Sequence, residues 1–107
     1  MAPKATVLVS MAAAAIAAVA YAKDYTIVQR NGDFVEKAIS IKVGETIWFA
    51  NEDDYGHNVY SSSPANVFDF GRQRPGQRTP VQFKQPGTVD VYCRIHPKMH
   101  LKVTVQP

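Results

Sequence analysis

Short runs in which apolar and polar residues alternate occupy most of the chain after residue 23. The segments 39–43 and 101–105 alternate strictly, with Ile, Leu or Val at every second position. This period of two is typical of a strand with one buried face. Further short apolar or alternating runs lie at residues 25–29, 46–50, 58–60, 67–70, 81–83 and 89–91. No stretch of residues 23–107 carries a sustained helical period, so the pattern predicts strands throughout.

Turn-forming residues separate these runs. Asn31-Gly32 is a favoured hairpin sequence, and Pro86-Gly87 marks a second turn. Residues 71–78 form a polar loop between two predicted strands. About eight short strands at fairly even spacing predict an all-β fold, an antiparallel Greek-key β-sandwich. Within the continuously apolar run 46–50, Trp48 and Phe49 are predicted to lie in the core.

Composition narrows the class of protein. The chain has 107 residues with 12 Lys+Arg against 9 Asp+Glu, a formal net charge of +3. This length suits one small domain and excludes a large multidomain enzyme. The basic residues are scattered, which argues against a nucleic-acid partner. A single cysteine excludes an intramolecular disulfide framework and any cysteine-rich zinc or iron–sulfur site.

The N-terminus carries a leader pattern. A short basic start is followed by an uncharged, alanine-rich run over residues 5–20, and Ala20-Tyr21-Ala22 supplies a small-x-small cleavage motif. A membrane anchor is the alternative, but this run is short and alanine-rich for a bilayer span. The pattern predicts a cleavable signal peptide at residues 1–22 and a periplasmic domain at residues 23–107. No membrane span is expected after cleavage.

Metal-capable side chains cluster near the C-terminus. Cys93, His96, Met99 and His100 lie within eight residues, and His57 is the one other histidine. A free thiol in an oxidising compartment is a liability unless a metal holds it. Two imidazoles and a thiolate with a weak thioether describe a blue-copper electron-transfer site, whereas zinc rarely recruits methionine.

Each of these residues also has a structural alternative. Cys93 packs well as an inert core thiol, and Met99 fills a core equally well. His57 follows the acidic run 52–54 and is placed to cap a turn. The joint spacing of the set favours the metal site over these separate explanations.

Three stretches of the sequence resemble the cupredoxins, and within them the amicyanin/plastocyanin family. They are residues 41–46, residues 56–59 with Gly-His-Asn-Val, and residues 92–99 with Tyr-Cys-Arg-Ile-His-Pro-Lys-Met. The resemblance implies an eight-stranded Greek-key sandwich with one copper ion per chain. It places ligand roles on the side chains of His57, Cys93, His96 and Met99. It also implies that Asn58 hydrogen-bonds across to the ligand loop.

The axial ligand is a choice between Met99 and His100. Met99 shares its parity with Leu101, Val103 and Val105, which predicts that Met99 faces the core and His100 faces solvent. The family usually has glycine where this chain has Leu101, so a distorted turn and a red-copper site using His100 form the alternative. The parity favours Met99.

These residues predict a blue copper protein that shuttles single electrons and is not an enzyme. Three histidines do not suffice for a second copper site, and the proposed ligand set leaves no open position for substrate. A periplasmic copper-delivery protein with the same fold is the alternative. The expected partner is a redox protein, such as a c-type cytochrome or a periplasmic dehydrogenase, that docks transiently near His96 on a monomer. Lys98 and Arg94 are expected to steer it, whereas Arg72, Arg74, Arg78 and Lys84 are interpreted as solvated loop charges.

Overall fold

The computed structural model describes residues 2–6 and 22–107, and in these ranges it contains nine strands and no helix. The strands are β1 (Asp24–Arg30), β2 (Asp33–Phe34), β3 (Ala38–Lys42), β4 (Thr46–Asn51), β5 (Val59–Ser61), β6 (Phe68–Asp69), β7 (Arg78–Gln82), β8 (Gly87–Cys93) and β9 (His100–Gln106). Eight of them match the runs predicted from the sequence. The short β2 completes a hairpin with β1 and brings the number to nine.

The strands form two sheets, with the orders β2-β1-β4-β7 and β3-β9-β8-β5-β6. This confirms the all-β sandwich. Five strand pairs are antiparallel, as expected, while β1–β4 and β3–β9 run parallel. The parallel pairs arise because the chain leaves the first sheet after β2, contributes β3 to the second sheet and then returns as β4.

The predicted hairpin between β1 and β2 is present. Asn31 and Gly32 both have positive φ, at 56° and 67°, and Arg30 pairs with Asp33 directly before and after them. Two consecutive left-handed residues define the two-residue turn that matches the twist of the flanking strands. This turn lies beside the candidate metal centre described below.

The core lies between the two sheets and is built from alternate residues of each strand. In β4, Ile47 and Phe49 point inward and are fully buried. The prediction that Trp48 belongs to the core is wrong. Trp48 lies between Ile47 and Phe49 in the strand, so its side chain points to the outer face, where it is half-buried. There its indole N–H donates to Asp24, and the Arg78 guanidinium lies 5.0 Å from the ring.

One end of the sandwich gathers the segments that carry the predicted ligands. The loop of residues 94–99 joins β8 to β9, and the segment 52–58 joins β4 to β5. Because β5 pairs with β8 through Val59 and Cys93, the two segments leave the sheet side by side.

The predicted leader coincides largely with residues that the structure does not describe. Residues 1 and 7–21 lie outside the described residues, so the signal peptide at residues 1–22 stays a prediction. Among the described residues, no helix is both long enough and apolar enough to cross a membrane.

Candidate metal centre

Cys93 ends β8 with its thiol buried in the sandwich. The backbone N–H of Asn58 donates to Cys93 Sγ at 3.4 Å, and the N–H of Arg94 donates to the carbonyl of Asn58 at 2.9 Å. These two bonds hold the ligand loop against the segment that carries His57.

His57 is fully buried and is fixed by its own backbone. Its N–H donates to the carbonyl of Gln73 at 3.0 Å, and the N–H of Gln73 donates back at 2.7 Å. The Gln73 side chain is itself buried and donates to the carbonyl of Phe49 at 2.8 Å. A two-way backbone bridge therefore fixes the position from which the imidazole projects.

His96 lies in the loop between β8 and β9 and is half-buried. Its ring centroid is 4.8 Å from that of His57. The ring of Tyr55 packs near both histidines, with centroid distances of 5.4 Å to His57 and 5.3 Å to His96. One histidine is thus enclosed, while the other reaches a surface pocket lined also by Arg72 and Ile95.

Three donor atoms of these residues converge on one point. His57 Nδ1 and His96 Nδ1 are 3.1 Å apart, and Cys93 Sγ lies 3.8 Å from each of them. In a triangle with these sides, the equidistant point lies about 2.1 Å from each corner, within the range of roughly 2.0–2.3 Å for imidazole and thiolate bonds to zinc. The donor set and its spacing fit a single transition-metal ion.

Asp53 completes the surroundings of His57. Its carboxylate accepts a hydrogen bond from His57 Nε2 at 2.8 Å and from the N–H groups of Asn31 and Gly32 at 2.6 and 3.0 Å. Burial raises the pKa of this carboxyl, but the hydrogen bonds from Gly32, His57 and Asn31 outweigh it, so the pKa lies below its ordinary value. Asp53 is therefore held as a carboxylate beside the site.

Met99 and His100 separate as the parity predicted. Met99 is fully buried in the cluster that also contains Cys93, and its N–H donates to the carbonyl of His96 at 3.0 Å. His100 is exposed on the outer face, where its ring stacks on Tyr92 and its Nε2 lies 2.8 Å from Asp90 Oδ1. His100 therefore points away from the three converging donors.

Asn58 contacts the ligand loop through its backbone. Its side-chain amide donates instead to Asp69 Oδ1 at 2.7 Å, and Asp69 Oδ2 accepts from the guanidinium of Arg94 at 2.8 Å. Hydrogen bonds from the backbone N–H of Gly71 and from the side chains of Asn58 and Arg94 lower the pKa of Asp69 to about 2. Asp69 thus links the side chain of Asn58 to the ligand loop indirectly and compensates the charge of Arg94.

A β-sandwich with a buried thiolate and two imidazoles at one end defines the cupredoxin class of copper proteins. The family model of copper-binding proteins, plastocyanin/azurin family, matches residues 23–106. The chain belongs to this family. Copper is therefore its cofactor.

Individual relatives agree with this assignment. Amicyanin-alpha of Methylorubrum extorquens is 33% identical over 76 residues, covering 68% of this chain and 64% of that protein. The chloroplastic plastocyanin of Physcomitrium patens is 32% identical over 81 residues, covering 67% of this chain and 48% of that protein. The chain thus spans less than two thirds of the length of either relative. The methylamine utilization protein MauL of M. extorquens is 28% identical over 101 residues and covers 94% of this chain and 89% of that protein.

Solved structures match at the level of the fold. A reduced amicyanin variant superposes with a TM-score of 0.72 at 23% identity, covering 78% of this chain and 82% of that chain. A copper-containing nitrite reductase from Thermus scotoductus also gives a TM-score of 0.72, at 25% identity, but the match covers only 22% of the reductase.

Sequence reasoning misses two neighbours of the site. The sequence presents Asp53 only as part of an acidic turn, although its position four residues before His57 is a usable signal. The interpretation of Arg72 as a solvated loop charge is incomplete, because the structure places it in the pocket beside His96. No local pattern marks Arg72, since the bridge between Gln73 and His57 brings it there.

Proposed function

We propose that this protein is a single-electron carrier in which His57, Cys93 and His96 hold one copper ion and Met99 is the axial ligand. The convergence of three donor atoms on one point is the observation that carries this proposal. Bound copper would supply a reversible Cu(I)/Cu(II) couple. Because both backbone and side chains fix the donors in advance, their positions change little between the two oxidation states.

The surroundings of the donors suit electron transfer better than substrate chemistry. Cys93, His57 and Met99 are buried, so they exclude water from most of the coordination sphere. His96 alone reaches the surface pocket, and its ring therefore provides the short route for an electron. With Met99 as a fourth ligand, the proposed set would leave no open position at which a substrate could bind.

Titration of the domain with Cu(II), followed by visible absorption and electron paramagnetic resonance, tests this proposal. One equivalent should produce an intense thiolate-to-copper band and a narrow copper hyperfine splitting. A weak band with an ordinary tetragonal spectrum would favour the copper-delivery alternative. Absence of stoichiometric binding would refute both.

The axial assignment predicts different effects at two neighbouring positions. Met99→Gln should lower the reduction potential and change the visible spectrum, because an amide oxygen is a harder donor than a thioether and favours Cu(II). His100→Ala should leave both within experimental error, because this side chain lies on the outer face against Asp90 and Tyr92. Voltammetry of the two variants decides the question, and the reverse pattern would assign the axial role to His100.

The proposed docking surface surrounds the exposed edge of His96. Ile95 is 51% exposed beside it, and Pro97 is exposed on its other side. Lys98 and Arg72 supply positive charge at the same end of the molecule: Arg72 lines the pocket with His96, and both Lys98 and His96 lie against Gly32. Arg94 was expected to steer the partner together with Lys98. We now leave it out of the docking surface, because its charge is paired with that of Asp69.

This charge distribution favours an acidic redox partner, such as an acidic c-type cytochrome or a periplasmic dehydrogenase. Lys98→Ala and Arg72→Ala should each slow association with an acidic cytochrome by roughly two- to fivefold at low salt. The difference should vanish as salt screens the charges. Stopped-flow kinetics measures these rates.

Lys84→Ala is the matched control, since Lys84 is exposed and follows Phe83, whose backbone bonds to Gly44 and Glu45 place it at the opposite end of β4. It removes the same charge without touching the docking surface. Equal slowing by Lys84→Ala and Lys98→Ala would mean that only net charge matters, and would exclude a localised docking surface.

The domain is proposed to act after export and removal of residues 1–22. The leader pattern supports this, and so does the family match, which begins at Lys23. The first strand starts one residue later, at Asp24, so the proposed cleavage removes no strand. Mass spectrometry of the exported protein should find Lys23 as the first residue, and retention of residues 1–22 would contradict the proposal.

A further inference from the structure

We infer that Asp53 is a positioning residue that orients His57 and lowers the reduction potential of the copper. This inference rests on the proposed function. The carboxylate of Asp53 is nearly fully buried and lies at Nε2 of the His57 ring. Nδ1 of the same ring is one of the three converging donors. Among the four proposed copper ligands, His57 alone has a side chain in contact with a carboxylate.

The hydrogen bond to Asp53 selects one form of the imidazole. A carboxylate accepts hydrogen bonds and cannot donate them, so Nε2 of His57 must carry its proton toward Asp53. In the neutral imidazole, Nδ1 then carries no proton and presents its lone pair toward Cys93 Sγ and His96 Nδ1. Such partners behind a ligating histidine fix its orientation and increase its basicity.

The hairpin turn in turn fixes Asp53. The N–H groups of Asn31 and Gly32 both donate to the carboxylate, and their left-handed conformations direct the two N–H groups to the same side. A Cβ on Gly32 would lie 3.2 Å from the Tyr55 hydroxyl, so the turn packs closely against the ring that covers both histidines. The chain therefore connects the β1–β2 turn to His57 through a single carboxylate.

The charge of Asp53 is expected to act on the redox equilibrium. A buried negative charge one imidazole ring away stabilises Cu(II), which carries one more positive charge than Cu(I). The hydrogen bond to the carboxylate also makes the imidazole a stronger electron donor to the metal. Both effects favour the oxidised form and lower the potential.

The test compares Asp53→Asn with Asp54→Asn in the copper-loaded protein. Both variants remove one negative charge, but Asp54 is exposed and only Asp53 contacts His57. In Asp53→Asn, the affinity for Cu(II) relative to Cu(I) should fall about tenfold, which equals a rise in potential of about 59 mV. Asp54→Asn should change the potential by much less. Equal potentials in the two variants would overturn the inference.

A second measurement needs no variant and covers the case in which Asp53→Asn fails to fold. In the reduced protein, nuclear magnetic resonance should show a His57 Nε2–H proton that is strongly deshielded relative to that of His96, as a bond to a carboxylate requires. A His57 proton with an ordinary shift would overturn the inference. Failure of the unmodified protein to form a blue copper site would instead refute the proposed function, so the two failures are distinguishable.

Discussion

In Cys93→Ser, the intense visible absorption of the copper protein should fall by at least about tenfold. The band requires the soft, covalent bond from thiolate sulfur, and a serine hydroxyl at this position supplies neither the charge nor the covalency. Cys93 is the single cysteine of the chain, so no other thiol replaces it. Visible absorption of the variant with one equivalent of Cu(II) measures the effect.

The fold of this variant should survive, because sulfur is replaced by a smaller atom at one buried position. Circular dichroism should show the same strand content, with a loss of stability of about 1 kcal/mol. Under these conditions the loss of colour reports on the ligand and not on unfolding. Retention of the strong band in a folded Cys93→Ser protein would show that the thiolate assignment is wrong.

His96→Gly and His57→Gly should differ sharply in their response to added imidazole. His96 borders a surface pocket lined by Tyr55 and Arg72, so imidazole can enter from solvent and restore most of the colour. His57 is fully enclosed, and restoration there should need at least about tenfold more imidazole, because the ligand must enter a closed space. Visible titrations of the two variants with imidazole measure the difference.

The two variants should also differ in stability. His57→Gly removes the hydrogen bond to the buried Asp53 carboxylate and should cost about 2 kcal/mol more than His96→Gly. Chemical denaturation of the metal-free proteins gives both values. Equal rescue by imidazole together with equal stability would contradict the division into an enclosed and an accessible histidine.

The sequence predicts those parts of the fold that depend on local pattern. Alternation in 39–43 and 101–105 locates two strands and their buried faces, and Asn31-Gly32 locates the hairpin. The same parity separates the buried Met99 from the exposed His100. The prediction for Trp48 fails because continuous apolarity in 46–50 hides which face of β4 is buried.

Features that depend on contacts between distant segments are beyond a local pattern. The parallel pairs β1–β4 and β3–β9 follow from crossovers between sheets, on which alternation carries no information. Arg94 is charged in the sequence as Lys98 is, and only the fold shows that Asp69 compensates it. The role proposed for Asp53 cannot be predicted from the sequence, because it depends on the contact between the β1–β2 turn and the segment before His57.

A spectroelectrochemical titration of the copper-loaded domain tests the central claim most directly. The visible band should bleach on reduction and return fully on oxidation, following a one-electron Nernst curve through repeated cycles, because the four proposed ligands should hold the ion in both states. Loss of the band after the first reduction, with copper recovered in the surrounding buffer, would contradict electron transfer and identify a protein that releases its metal.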